Sequence, residues 1–144
     1  MAVTVYTYNH TASMIGMGHV PLDSWVVMLC TSLTFNATHT SLISVVRTEV
    51  ASGTGYVTNG QYLNNPTATI VTTDDAVIDA DDVVWTAVGG SISASHALIY
   101  STSGFVGDVP LFALDLGGMV TATSGNNLSI NWDVTNGIFK LSKV

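Results

Sequence analysis

Five of the chain's ten acidic residues stand inside the stretch DDAVIDADDVVW: Asp74, Asp75, Asp79, Asp81 and Asp82. Clustered carboxylates are what a hard cation such as calcium coordinates, and a close pair could act as general acid and base. The spacing lacks the D-x-D-x-D-G register and the terminal glutamate of a helix–loop–helix calcium site. That leaves Asp79, Asp81 and Asp82, helped by backbone carbonyls, as the metal candidates. The preferred reading is plainer: a strand over Ala76 to Ile78, a solvated aspartate-rich bend whose side chains bond their own backbone, then a strand carrying Trp85 into the core.

The remaining chemistry-bearing residues are sparse. His10, His19, His39 and His96 stand alone, and no two histidines or cysteines fall at zinc-ligand spacing. A nucleophilic triad needs Ser or Cys, His and an acid brought together, but no G-x-S-x-G elbow is present. His96 alternates with Ala94 and Leu98, which suits a packed or interfacial sheet face. Cys30, the lone cysteine, sits in WVVMLC and reads as a small buried hydrophobe. No catalytic residue and no cofactor is expected. Three N-x-[ST] sequons begin at Asn9, Asn36 and Asn127, about what a chain this rich in Asn, Ser and Thr produces by chance.

The elements that must position these residues read as all-β. Thr and Val dominate, and turn signals recur at short intervals: Gly53 and Gly55, Asn59-Gly60, Asn64-Asn65-Pro66, Gly89-Gly90, Gly117-Gly118, Gly125-Asn126-Asn127 and Asn136-Gly137. Asn-Gly pairs supply the positive φ that tight hairpin turns require. WVVMLCTSL, residues 25–33, is apolar on both faces, as a central strand would be. Leu128, Ile130, Trp132 and Val134 are expected to share one strand face, with Ser129, Asn131 and Asp133 on the other. One short helix is expected over residues 11–18, capped by Asn9 or Thr11 and closed by glycine. The sum is a two-sheet β-sandwich, jelly-roll or immunoglobulin-like, of about 8–10 short strands with a short N-terminal helix.

With 144 residues the chain reads as one domain, in which residues 1–20 could form a docking arm. Apolar residues make up 47% of it but charged ones only 9%, against roughly 25% in an ordinary soluble protein. The longest apolar run, residues 25–30, is far short of a membrane helix. Neutral polar residues replace charge instead: 19 Thr, 14 Ser and 9 Asn. Such a surface desolvates cheaply, and charge depletion marks the centres of protein interfaces. The composition is that of a subunit packed among others. Three basic residues and a net charge of −7 argue against nucleic acid or anionic membrane as partners. MAVTVYTYNH has neither the basic segment nor the apolar core of a secretory signal, and a single cysteine fits synthesis in a reducing cytoplasm.

In order along the chain stand RTEVASGTGYVTNGQYLNNPTATI, AVIDADDVVWTAVGGSISASHALIYSTSG, PLFALDLGG and LSINWDVTNGIFKL. This series resembles a family of small virion proteins of tailed bacteriophages. There an E-V-x-G-x-G-Y segment precedes a G-x-x-L strand, an acidic D-A-D-D-V-x-W stretch, and A-x-I-Y, L-x-x-x-D-x-G and closing G-I-F-x-L strands. WVVMLCTSLTFNATHT is similar to the family's opening strand and loop, so the likeness spans most of the chain. The helix segment TASMIGMG departs from it, with fewer charges than the family's usual version.

The resemblance implies a non-enzymatic structural component of the virion. Taken together with the charge-poor composition, the first expectation is a capsid decoration or cement protein, a homotrimer bound to the major capsid protein and assembled in the host cytoplasm. Docking is expected through the first ~20 residues and the loop at residues 34–44, with β-augmentation by sheet edges. The interface candidates are Tyr6, Tyr8, Met14, Met17, Phe35, His39, Tyr56 and Tyr62. A second reading is a tail or fibre component that contacts the host through Tyr56, Tyr62 and Tyr100. A third is a calcium-dependent carbohydrate-binding module built on the acidic bend.

Overall fold

The computed structural model describes residues 3–72, 75–103 and 107–142. Its spine is three long antiparallel strands, β2 (Trp25–Thr34), β8 (Ile92–Ser101) and β9 (Val109–Ala122). β1 (Thr4–Thr7) is added to the outer side of β9, and β3 (Val46–Glu49) and β4 (Gln61–Tyr62) to different stretches of β2. Two smaller sheets complete the fold. One joins β7 (Val83–Thr86) to β10 (Asn127–Ile130); the other orders β11 (Phe139–Ser142), β6 (Asp75–Asp79) and β5 (Thr67–Thr72). The all-β, sandwich-like expectation holds. There are eleven strands among the described residues rather than 8–10, because one layer is broken into two short sheets and β4 has only two residues.

Residues 25–30 are buried without exception, which makes β2 the centre of the molecule. Successive side chains point to opposite faces, so the strand feeds two cores. Trp25, Val27 and Leu29 join Ile99, Phe112 and Leu114 beneath the small sheets, which contribute Ile78, Val83, Trp85, Leu128 and Ile130. Val26, Met28 and Cys30 join Leu98, Tyr100 and Ala113 on the other face. That second core is closed by Leu42 and Val45, with the ring of Tyr8 and the half-buried Leu33 and Phe35 at its margin. The segment at residues 35–45 is therefore the cover of an apolar sheet face.

The N-terminal segment is built into the same frame. β1 pairs with β9 from Thr4 opposite Asp115 to Thr7 opposite Phe112. Helix α1 (Thr11–Gly16) follows, with Met14 and Ile15 packed against the main core. Neither Asn9 nor Thr11 caps it. His10 occupies the cap position but its side chain does not bond the helix amides: its Nε2 lies 2.6 Å from the Pro110 carbonyl, and the Thr11 hydroxyl donates to the Leu111 carbonyl at 2.7 Å. The helix is shorter than expected, and the chain leaves it through Gly18 at φ 70°, with the Gly18 and His19 amides bonded to Ile15 and Met14 carbonyls.

The inward alternation near the C-terminus ends sooner than the pattern suggests. Leu128, Ile130 and Trp132 are buried, but Val134 is 99% exposed. The cause is local: the Asp133 carboxylate accepts the Thr135 and Asn136 amides at 2.9 and 2.7 Å, turning the chain just past Trp132. Those bonds, Asn136 first, hold the Asp133 carboxyl below its usual range.

Two glycines let residues 51–60 cross between the layers. A Cβ on Gly55 would strike the Thr86 carbonyl of β7, and one on Gly60 the Val27 carbonyl of β2. Both have positive φ, as does Asn59 beside Gly60. Gly125 has a similar φ of 89° but open space around it. Gly60→Ala is accordingly expected to destabilise by upwards of ~3 kcal/mol and Gly125→Ala by only about 1 kcal/mol, the cost of backbone strain alone. Denaturant unfolding of the two variants checks this; equal losses would mean the close approach contributes nothing.

Candidate functional site

The acidic bend is tied down more firmly than a solvated turn. Asp79 does bond its own backbone, its Oδ1 accepting the Ala80 amide at 2.9 Å. Asp81 and Asp82 instead reach other segments. Asp81 Oδ2 accepts from Asn65 Nδ2 at 2.7 Å, and the Asp81 amide donates to the Asn64 carbonyl at 3.0 Å. Asp82 Oδ1 accepts the Trp132 amide at 2.9 Å, and the Trp132 indole donates to the Asp81 carbonyl at 3.0 Å. Asp75 forms a 2.9 Å ion pair with Lys140 across β6 and β11. Asp74 lies outside the described residues. The bend thus staples the entry to β5 and the turn after β10 together. Among the described residues, no three His, Cys, Asp or Glu side chains converge on a point where a metal ion would sit, Asp79, Asp81 and Asp82 included.

Strand register does create a juxtaposition that composition hides. Cys30 stands opposite His96, and His96 opposite Asp115, so a thiol, an imidazole and a carboxylate lie side by side across β2, β8 and β9. Each is committed elsewhere. Ser95 Oγ donates to the Thr31 carbonyl at 2.7 Å, which leaves it to accept from His96 Nδ1, also at 2.7 Å. Asp115 Oδ1 accepts the Gly117 amide at 2.9 Å. Cys30 is fully buried, and burial pushes its thiol up to about 12, against the smaller opposing effect of Arg47. A neutral, enclosed thiol is a poor nucleophile. The row packs a sheet; it does not form a relay.

The proposed contact residues separate into two groups. Tyr6, Met17 and Tyr62 are exposed, at 43%, 58% and 56%. Met14 and Phe35 are half-buried, Phe35 with its ring 5.3 Å from Tyr6 and 4.9 Å from Tyr8. His39 is half-buried too, its Nδ1 enclosed without a hydrogen-bond partner. Tyr8 and Tyr56 are corrections to the sequence reading: both are 1% exposed and cannot meet a partner. Tyr8 follows an edge strand but turns inward over the second core. The Tyr56 hydroxyl donates to Glu49 Oε1 at 2.8 Å and accepts the Leu29 amide at 3.1 Å, so it is a strut between β2 and β3. Tyr100 is likewise buried, with its hydroxyl donating to the Asn59 carbonyl at 2.7 Å.

The most exposed apolar side chains are Ile43, Val57, Ile70 and Val134; sequence reasoning singled out none of the first three and set Val134 on the face of Trp132. Ile43 is 91% exposed although its neighbour Leu42 is buried, since the cover over the second core has an outside as well as an inside. Tyr62 borders a shallow cleft with Asn59, Thr58, Thr102 and Asp108. Arg47 stands nearby, its guanidinium Nη1 donating to the carbonyls of Leu42 and Val45 at 2.8 and 3.2 Å.

Buried acids that are neutral at physiological pH give the fold an alkaline limit. Burial raises the Tyr8 and Tyr100 phenols to about 12, like the Cys30 thiol, and raises Tyr56 as well, with the Glu49 hydrogen bond adding to the effect. Folded values above the ordinary ones mean that stability is complete below pH ~9 and lost as pH rises toward 12. The part of the phenolate absorbance that belongs to Tyr8, Tyr56 and Tyr100 is expected to rise together with loss of circular dichroism, and a thiol reagent to label Cys30 only once the fold opens. Independent titration of these tyrosines on a folded chain would contradict the burial argument. Comparison of the chain with family models, curated proteins and solved structures returns no match.

Proposed function

We propose that this chain is a non-enzymatic structural subunit of a tailed-bacteriophage virion, a decoration or cement protein that binds the major capsid shell and stabilises it. The observation that carries the reading is that several large apolar side chains stand in solvent on a chain with few charges. Ile43, Val57, Ile70 and Val134 are each more than two-thirds exposed, on a chain only 9% charged. Exposed apolar groups on a charge-depleted surface are what a protein–protein contact uses. The ordered likeness to small phage virion proteins points to the same class of role, and the chemistry-bearing side chains at the acidic bend and the Cys30 row are spent on holding the fold.

The cement mechanism is cooperative burial. Each copy, proposed to act as a homotrimer, covers apolar and neutral polar surface at a junction of shell subunits, and the shell is stabilised by mass action. The outer face of the residue 35–45 segment, led by Ile43, and the edge strand β1 with Tyr6 and Phe35 are the surfaces assigned to docking. The rest of residues 3–20 is held to the fold by the pairing of β1 with β9 and by Thr11 and Ile15. A tail or fibre role is the second reading, supported by Tyr62 beside the polar cleft of Asn59, Thr102 and Asp108.

Quantitative mass spectrometry of purified particles should find this protein in hundreds of copies; a handful would sink the cement reading and favour the tail. Ile43→Asp should reduce capsid occupancy at least about tenfold, the equivalent of ~1.4 kcal/mol per contact, while circular dichroism stays unchanged. Tyr62→Ala should leave capsid occupancy as it is, since that ring belongs to the second reading.

A further inference from the structure

β5, the edge strand of the three-stranded sheet, breaks the rule that a strand hides at least one face. Thr67, Ala68, Thr69 and Ile70 are all exposed, and Ile70 is 79% so. One side of β5 pairs with β6, from Thr67 opposite Asp79 to Thr72 opposite Asp75. Among the described residues no strand pairs with its other side. The strand therefore stands as a ledge, and among the described residues no group bonds the backbone donors and acceptors along its outer edge at residues 67–70. Natural sheets usually blunt such an edge with lysine, proline or inward charge. Pro66 precedes the strand and an irregularity follows Ile70, but within residues 67–70 there is no lysine, proline or charge, and the stretch is mostly β-branched and suited to taking another strand. A register shift between Ile70 and Thr72 limits the regular stretch to residues 67–70.

Charge decides what could lie there. Asp79 stands directly beside Thr67 on the neighbouring strand, and Asp81 is bonded to Asn64 and Asn65 just before β5 begins. No ion pair joins either carboxylate to a cation among the described residues, where Lys140 is paired with Asp75. A second copy of this chain, at net charge −7, would bring its own acidic bend to the contact. Like charges disfavour that pairing, whereas a basic segment is drawn to it.

We infer that the outer edge of β5 is a docking site for an extended segment of a different chain, one that adds a strand along residues 67–70 and places Lys or Arg over Asp79 and Asp81. Backbone hydrogen bonds supply the affinity, and the carboxylates fix which end of the segment lies at Thr67. The inference deepens the structural-subunit reading by naming a partner chemistry, but its test needs no virion, so the two can fail separately.

The probe is a short capped peptide of alternating Thr and Val with a Lys pair at one end, added to the full-length protein. Hydrogen exchange should slow by roughly tenfold or more at residues 67–70, with little change in β1 or β3. Glu in place of Lys, or N-methylation of alternate peptide amides, should abolish the protection. Ile70→Lys, at a site exposed enough to leave the fold intact, should weaken binding about tenfold by setting a like charge on the ledge. Asp79→Asn with Asp81→Asn keeps the side-chain acceptors and should weaken it similarly. Absence of protection at residues 67–70 would overturn the docking site. Equal binding of the Glu peptide would overturn the basic partner, and protection of the same residues by self-association without peptide would show that a second copy is the occupant.

Discussion

Everything in this molecule is arranged around a strand that tolerates water on neither side. WVVMLC has no polar face to offer, so β2 must be covered twice, and each cover is made differently. One side receives two small sheets, whose Ile78, Trp85, Leu128 and Ile130 fill the larger core. The other receives a loop, residues 35–45, that brings Leu42 and Val45 down onto Val26, Met28 and Cys30. Fully burying a side chain of this size contributes on the order of 1.5–3 kcal/mol. Losing either cover would expose several at once, so the unequal covers are equally necessary.

Polar groups do the joining that apolar burial leaves undirected. Glu49, Tyr56 and the Leu29 amide make a strut at the β2–β3 boundary, and Glu49 also accepts the Asn59 amide. Ser24 and Ser101 bond at 2.6 Å where β2 begins and β8 ends. At the opposite layer the Asp81, Asp82 and Trp132 bonds connect the two small sheets through their loops. These contacts are specific in direction where the cores are not, and they fix which loop crosses where.

Much of this architecture was legible in the residues. The two-faced apolar run named the central strand, and Trp85 was placed in the core by the strand after the bend. The glycine-rich turns marked most boundaries. What escaped were features set by the partner rather than by the pattern. Tyr8 and Tyr56 looked like surface aromatics because nothing local reveals that Phe35 or Glu49 will meet them. Val134 continued an alternation that Asp133 ends by bonding two amides ahead. The Cys30, His96 and Asp115 row exists only through register between strands far apart in sequence. Ile43 and Ile70 could have been suspected only by knowing which elements have nothing above them.

The scarcity of ion pairs has a consequence for how such a subunit would respond to its surroundings. Among the described residues Lys140 and Asp75 form the one salt bridge, and its partners are both partly exposed. A fold held by burial and by short-range hydrogen bonds, rather than by ion pairs, responds only weakly to screening. Raising ionic strength is then expected to weaken the basic-segment contact proposed at β5 while leaving the fold intact. That contact and the fold answer to different solution variables, so salt could release the one from a chain that keeps the other.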